Sequence, residues 1–242
     1  MRILVSNDDG IYSPGIAALA RAAANYGEVR VVAPDVEQSS AGHSVSSSRP
    51  MRYRSTPLFS GIEAYRVNGT PADCVALGAF HWEQVDVVLS GVNLGTNLGN
   101  AIWHSGTLAA AKQAVLLGLR GIALSTPVTA DEPDFAALEP HIERVLEELL
   151  PRDDLLLVNV NLPAEPRGTR WTRQAVNTYD GRIVADKDPY DRDIFWFVVK
   201  PIEQVEEGTD LWAVRSGFVS ITPLELDLTD HEALERMAVA QR

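Results

Sequence analysis

Arg2-Ile-Leu-Val-Ser6 runs directly into Asn7-Asp8-Asp9-Gly10-Ile11-Tyr12 and then Ser13-Pro14-Gly15, and this stretch decides the architecture of the 242-residue chain. The apolar run reads as a strand covered on both faces, as in a parallel sheet. Ser13 stands at an N-cap position and Pro14 at the first helical position, which predicts a helix over Pro14–Tyr26. A strand that passes through a short polar turn into a helix is the first half of a βαβ unit. The same pattern recurs outward along the chain. Val29–Ala33, Val85–Ser90, Gly121–Ser125 and Leu155–Val160 read as further buried strands. Between them, Thr70-Pro71-Ala72-Asp73 opens a second helix with Asp73 at the capping-box position, and Ser105–Leu119 and Asp134–Leu150 supply two more. The expected fold is α/β: a doubly wound, mostly parallel sheet with helices on both faces, three-layered and Rossmann-like.

After residue 165 the pattern changes. Trp171–Gln174, Asp193–Lys200 and Leu211–Pro223 read as strands among turn-rich segments, Tyr179-Asp180-Gly181-Arg182 carries an Asp-Gly hairpin signal, and a short helix is expected from about Asp230. The chain is therefore expected to be one unit, with a catalytic core over 1–165 and an antiparallel appendage with a C-terminal helix over 166–242.

Composition narrows the function. With 45% apolar residues there is enough bulk for a core. One cysteine, Cys74, excludes an intrachain disulfide and a Cys-rich zinc site, and its place in an apolar helix suits a core thiol. The most apolar segment, residues 108–124, is interrupted by Lys112, Gln113 and Arg120 and falls short of a membrane span. No charged leader with an apolar stretch is visible at the start, so a cytoplasmic protein is expected. The net charge of −12 lies wholly in residues 131–242, with 24 acidic and 12 basic side chains, whereas residues 1–130 carry nine of each. No basic stripe suited to a nucleic-acid duplex is present. The neutral half is the better place for a site that accepts a small anion, while the acidic half also serves solubility.

Ligands of open α/β sheets gather beyond the carboxyl ends of the strands. There the chain places Asn7-Asp8-Asp9, the serine-rich stretch Ser39–Ser48, and Ser90-Gly91-Val92-Asn93 leading through Asn97 to Ser105-Gly106-Thr107. Adjacent carboxylates repel, so Asp8 and Asp9 are suited to a cation between them, and hard oxygen donors favour Mg²⁺, Mn²⁺ or Ca²⁺ over zinc. The same residues are also compatible with a plain turn in which Asp8 caps a neighbour. Ser105-Gly106-Thr107 at a helix start is a natural phosphate seat, with Gly106 small enough to let an anion approach, or simply an N-cap after a turn. His43 and His104 lie in these loops as candidate proton carriers or as solvated surface groups. The dinucleotide fingerprint, the phosphate-binding loop and the nucleophile elbow are all absent.

The opening segment resembles that of the SurE survival-protein family of stationary-phase nucleotidases. Ala33-Pro-Asp-Val-Glu-Gln-Ser39, Gly69-Thr-Pro-Ala-Asp-Cys74, Ser90-Gly-Val-Asn93, Asn97-Leu-Gly99, Ser105-Gly-Thr107, Phe218-Val-Ser-Ile-Thr-Pro223 and Leu226-Asp-Leu-Thr229 follow in that family's order. The resemblance implies a metal-dependent phosphatase acting on nucleoside monophosphates, with one divalent ion per subunit held by Asp8, Asp9, Ser39 and Asn93. It further implies that Asp8 and Asp9 are catalytic and that Asn7, Asn97, Ser105, Gly106 and Thr107 line the phosphate pocket. Where the family often carries acidic residues before Ser-Gly-Thr, this chain has Asn100-Ala-Ile-Trp-His104, so no general base is carried over from there. The resemblance also implies a homodimer or homotetramer formed by exchange of C-terminal segments. Two other readings are a nucleotide-binding module without turnover and a haloacid-dehalogenase-like phosphatase with Asp8 as nucleophile. The latter wants Asp-x-Asp, which Asn7-Asp8-Asp9-Gly10 lacks.

Overall fold

The computed structural model describes residues 1–58, 61–128, 133–176, 181–199 and 205–240. Strands β1 (Arg2–Ser6), β2 (Glu28–Pro34), β3 (Tyr53–Ser55), β4 (Glu63–Val67), β5 (Val87–Leu94), β6 (Arg120–Thr126), β7 (Leu157–Asn161), β8 (Thr169–Trp171) and β11 (Val219–Leu224) form one sheet in the order β3-β4-β2-β1-β5-β6-β7-β11-β8. The six strands from β4 to β7 in that order are mutually parallel. β3 and β11 run antiparallel to their neighbours β4 and β7, and β8 is parallel to β11.

Helices α1 (Pro14–Ala23) and α4 (Phe135–Leu149) cover one face, and α2 (Pro71–His81) and α3 (Gly106–Leu116) the other. The alternation of β1 sets this division: Ile3 and Val5 join the first core with Ile16, Leu19, Ile142 and Leu146, while Leu4 joins the second with Cys74, Val75 and Ala110. Each of these helices starts on a side-chain cap, from Ser13, Thr70, Ser105 and Asp134, and Thr70 with Asp73 completes the expected capping box. Arg120 secures the far end of α4, donating to the carbonyls of Leu149 and Leu150 at 2.8 and 2.9 Å.

The structure corrects several expectations. The run expected as one strand over Leu211–Pro223 is divided. Thr209 caps a short helix, α5 (Asp210–Arg215), and only Val219–Leu224 is extended. β11 and β8 join the main sheet, so only β9 (Gly181–Lys187) and β10 (Asp193–Val199) form a separate antiparallel pair. Their connection runs through residues 188–192, where the Asp188 carboxylate accepts the backbone N–H groups of Tyr190 and Arg192. The Asp-Gly signal therefore does not make this turn: Gly181 begins β9, and residues 177–180 lie outside the described residues. β4 escaped the sequence reading because Glu63 and Arg66 break its apolar run, although it pairs in parallel with β2. The expected C-terminal helix is α6 (His231–Ala240).

One buried carboxylate ties the C-terminal region to the loops at the sheet's carboxyl edge. Asp210, fully buried at the start of α5, accepts the N–H groups of Gly99, Ala175 and Leu211 at 2.8, 2.9 and 2.7 Å. Asp210→Ala should strand the buried donors and cost about 3 kcal/mol. Thermal denaturation should show a midpoint lowered by roughly 6–12 °C; an unchanged midpoint would refute this tie.

Candidate active site

β1 lies between β2 and β5, where the strand order reverses direction, and its carboxyl end delivers Asn7, Asp8 and Asp9 to that switch point. The pairing of Ser6 with Ser90 brings the ends of β1 and β5 together. β5 continues further than the sequence suggested: Ser90–Asn93 lie within it, with a register shift against β6 between Ser90 and Asn93.

Asp8 is almost fully buried and accepts the Thr107 hydroxyl at 2.6 Å, while its own carbonyl accepts the Gln38 N–H at 2.7 Å. Burial pushes its carboxyl above the ordinary range, and hydrogen bonds from Thr107 work against that rise. The Asp9 carboxylate accepts the Leu94 N–H at 3.1 Å. Its pKa is pushed up to about 7, first by burial and then by the neighbouring Asp8 charge.

The other expected residues divide into two groups. Asn93 is buried and donates its amide to the Gly95 carbonyl at 2.5 Å, which leaves its side-chain oxygen as an acceptor. Ser39 is exposed and donates to Glu37 at 2.5 Å, so its hydroxyl oxygen keeps its lone pairs. Asn7 donates to the Gly10 carbonyl at 2.9 Å, and its buried side-chain oxygen has no hydrogen-bond partner among the described residues. Asn97 donates to Ser125 at 2.8 Å and to Thr107 at 3.3 Å. Its backbone is held by Asn159 and Asn161, which both donate to its carbonyl, while Asn161 also accepts its N–H.

At the start of α3, Ser105 acts as the cap by accepting the Leu108 N–H at 3.0 Å. Gly106 is held small by a neighbour that the sequence did not reveal. A Cβ there would stand 2.7 Å from the Cβ of Asp8 and 2.9 Å from its carboxylate. The anion that approaches this helix end most closely is thus the protein's own Asp8, which shares the positive end of the dipole with whatever binds beside it.

His43 is half-buried and hydrogen-bonds Gln113 of α3 at 2.9 Å, anchoring the serine-rich loop, whereas the His104 side chain is exposed and its carbonyl accepts the Gly42 N–H. Cys74 is wholly buried, and burial pushes its thiol up, as befits a core residue. Sequence reading missed Ser125, Asn159 and Asn161. Their signal was present as polar residues breaking the apolar runs of β6 and β7.

The donors fit a hard divalent cation. The Asp8 and Asp9 carboxylates, with the Thr107 hydroxyl on Asp8, are hard oxygen donors, although among the described residues no group of three or more His, Cys, Asp or Glu side chains suited to a metal ion is present. Seven buried side-chain atoms of the described residues lack a partner, and five of these belong to Ser6, Asn7, Ser90, Thr126 and Asn159, within or just beyond the neighbouring strands β1, β5, β6 and β7. Such groups cluster where a site is polar and meant to be filled.

Buried carboxylates at the switch point of the sheet, packed against a helix start, define a doubly wound α/β protein with its candidate site at the carboxyl edge. The chain belongs to the family described as Survival protein SurE, which it matches over residues 3–181. It is 48% identical to the 5′-nucleotidase SurE 1 of Thermus thermophilus over 98% of this chain and 97% of that protein. It is 42% identical to the 5′-nucleotidase SurE of Deinococcus radiodurans, covering 99% and 92%. The crystal structure of the SurE protein from Aquifex aeolicus superposes with a TM-score of 0.84 at 35% identity, over the full length of both chains.

The raised Asp9 pKa carries a testable sign. A folded carboxyl that titrates above its unfolded value binds its proton more tightly in the native state. Stability is then lost as pH rises from 3.8 to about 7. With chelator present, the thermal midpoint of Asp9→Asn should fall less over that interval than that of the parent. Equal slopes would contradict the assignment.

Proposed function

We propose that this chain is a 5′-nucleotidase, a hydrolase that cleaves a nucleoside monophosphate to nucleoside and phosphate with one divalent cation, Mg²⁺ or Mn²⁺, whose site also accepts Ca²⁺. The observation that carries the reading is the Asp8–Asp9 pair, held at the sheet's switch point against the start of α3, in a chain nearly half identical to a named 5′-nucleotidase. Asp8, Asp9, Ser39 and Asn93 would hold the cation, and Asn7, Asn97, Ser105, Gly106 and Thr107 would line the phosphate. When bound, the cation supplies a Lewis acid that polarises phosphoryl oxygen and lowers the pKa of water from about 15.7.

The chain's own residues do the positioning. Thr107 orients the Asp8 carboxylate, the Leu94 N–H orients that of Asp9, and the four-residue polar network behind Asn97 keeps its amide from moving. The positive end of α3 favours charge developing on the transferred group. In the overall reaction water oxygen bonds to phosphorus, the ester oxygen leaves with a proton, and nucleoside and phosphate result. The binding-module and dehalogenase-like readings are less favoured: the relatives are named as nucleotidases, and the second carboxylate follows Asp8 directly instead of two positions on.

Two further elements belong to the proposal. One is assembly as a homodimer or homotetramer through residues 166–242, supported by the exposed Ile183, Phe195 and Trp196 of the β9–β10 pair and Leu234 and Met237 of α6. The other is a cytoplasmic setting without membrane contact: among the described residues no helix is long and apolar enough to cross a membrane.

Hydrolysis of p-nitrophenyl phosphate and of adenosine 5′-monophosphate tests the chemistry. Asp8→Asn and Asp9→Asn should each lower kcat/KM by on the order of 10³-fold or more, and chelator should abolish turnover. Gly106→Val should be nearly as damaging because its side chain displaces Asp8, whereas Ser105→Ala should cost about 1 kcal/mol through the lost cap. Full turnover in saturating chelator rejects the cation. For assembly, light scattering should find a dimer or tetramer, and deletion of residues after Pro223 should reduce it; a fully active monomeric parent rejects that part.

A further inference from the structure

Outside the candidate active site, three arginines share one small cavity. Arg54 of β3 faces Arg66 of β4 directly across the antiparallel register, so both side chains lie on the same face of the sheet. Arg52, which precedes β3, lines the same cavity with Asp35 and Asn68. Like charges placed opposite one another on paired strands are destabilising, and in an acidic protein each arginine has carboxylates to choose from. Arg30 on the adjacent strand β2 takes one, pairing with Glu63 at 2.6 Å. Yet among the described residues no guanidinium of Arg52, Arg54 or Arg66 makes an ion pair or hydrogen bond. The backbone around the cavity is firmly set: the Arg52 N–H donates to the Asn68 side-chain oxygen at 2.6 Å, and the Asp35 N–H to the Val67 carbonyl at 2.8 Å.

We infer that this cleft is a second anion site, one that takes a phosphate group and is separate from the Asp8–Asp9 centre. Three guanidinium groups and one carboxylate leave the cleft two positive charges, matching the roughly −1.5 to −2 of a phosphate monoester near pH 7. Guanidinium forks suit tetrahedral oxyanions because two N–H groups meet two oxygens at once. The cavity of about 60 Å³ has room for several water-sized groups, each needing roughly 10–15 Å³. It admits a phosphate and leaves any attached nucleoside outside. Its place is also specific. Asp35 in the cleft lies three residues before Gln38, whose N–H donates to the Asp8 carbonyl. A three-residue span reaches roughly 10 Å at most, so the cleft and the Asp8–Asp9 centre flank one short segment of chain. The inference does not depend on the nucleotidase reading.

Calorimetric titration of the full chain with inorganic phosphate, chelator present, tests it. Asp8→Asn, which alters the pocket at the start of α3, should retain a phosphate site, and Arg54→Gln/Arg66→Gln should weaken that site at least roughly tenfold. Asp35→Asn removes the one negative charge and should tighten binding by roughly three- to tenfold, an outcome that structural damage does not produce. Competition by adenosine 5′-monophosphate would identify a nucleotide phosphate as the source, and its failure to compete would identify free phosphate; either supports the site. Absence of binding by the parent, unchanged binding by the arginine variant, no tightening in Asp35→Asn, or loss of binding in Asp8→Asn overturns it.

Discussion

The hydrogen bond from the Thr107 hydroxyl to the buried Asp8 carboxylate joins residues 99 positions apart and sets the geometry around it. It brings the start of α3 onto the end of β1 closely enough that position 106 has no space for a side chain. A carboxylate this deeply buried is costly in its charged form, and the Thr107 hydroxyl, the backbone N–H groups of Asp8 and Thr107 and the helix end offset part of that cost. Thr107 in turn accepts from Asn97, and Asn97 is gripped by Ser125, Asn159 and Asn161 on the next two strands. A single polar chain thus crosses four neighbouring strands at their carboxyl ends, and each link orients the next. Networks of this kind are rigid when satisfied because every displaced member leaves a buried group unpaired.

The C-terminal region enters the same frame from outside. Its buried Asp210 takes one N–H from Gly99 and one from Ala175, so the loop that carries Asn97 is fixed from both sides. This gives the region after residue 165 a role in shaping the candidate site even though none of its described residues contributes a donor to it. β11 and β8 complete the sheet, while the β9–β10 pair keeps large apolar side chains on its surface.

Electrostatics separates the molecule along its length. The acidic surplus belongs to the second half, and the neutral first half holds two separate charge clusters. Asp8 and Asp9 are concentrated under α3, suited to a cation, while Arg52, Arg54 and Arg66 are gathered around an anion-sized cleft at the same edge of the sheet. The short segment 35–38 runs between the two, with Asp35 facing one and Gln38 fastened to the other.

Sequence alone determined what depends on neighbours along the chain. The continuous apolar runs of β1, β2 and β6 are visible as buried strands, and Ser13-Pro14 and Thr70-Pro71 mark their helix starts within a residue. Asp8, Asp9 and Ser105–Thr107 stood out because strand ends are where such a sheet keeps its chemistry. The tertiary structure decided the rest. β4 alternates and carries two charges, so its membership of the parallel sheet follows from pairing with β2 and not from its own pattern. Residues 211–215 are apolar enough for a strand, yet the Thr209 cap and the anchoring of Asp210 make them helical. That Gly106 makes room for Asp8, that Asn159 and Asn161 hold Asn97, and that Arg54 confronts Arg66 all depend on strand order and register. Those properties arise from contacts between residues far apart in the chain, where no local periodicity can record them.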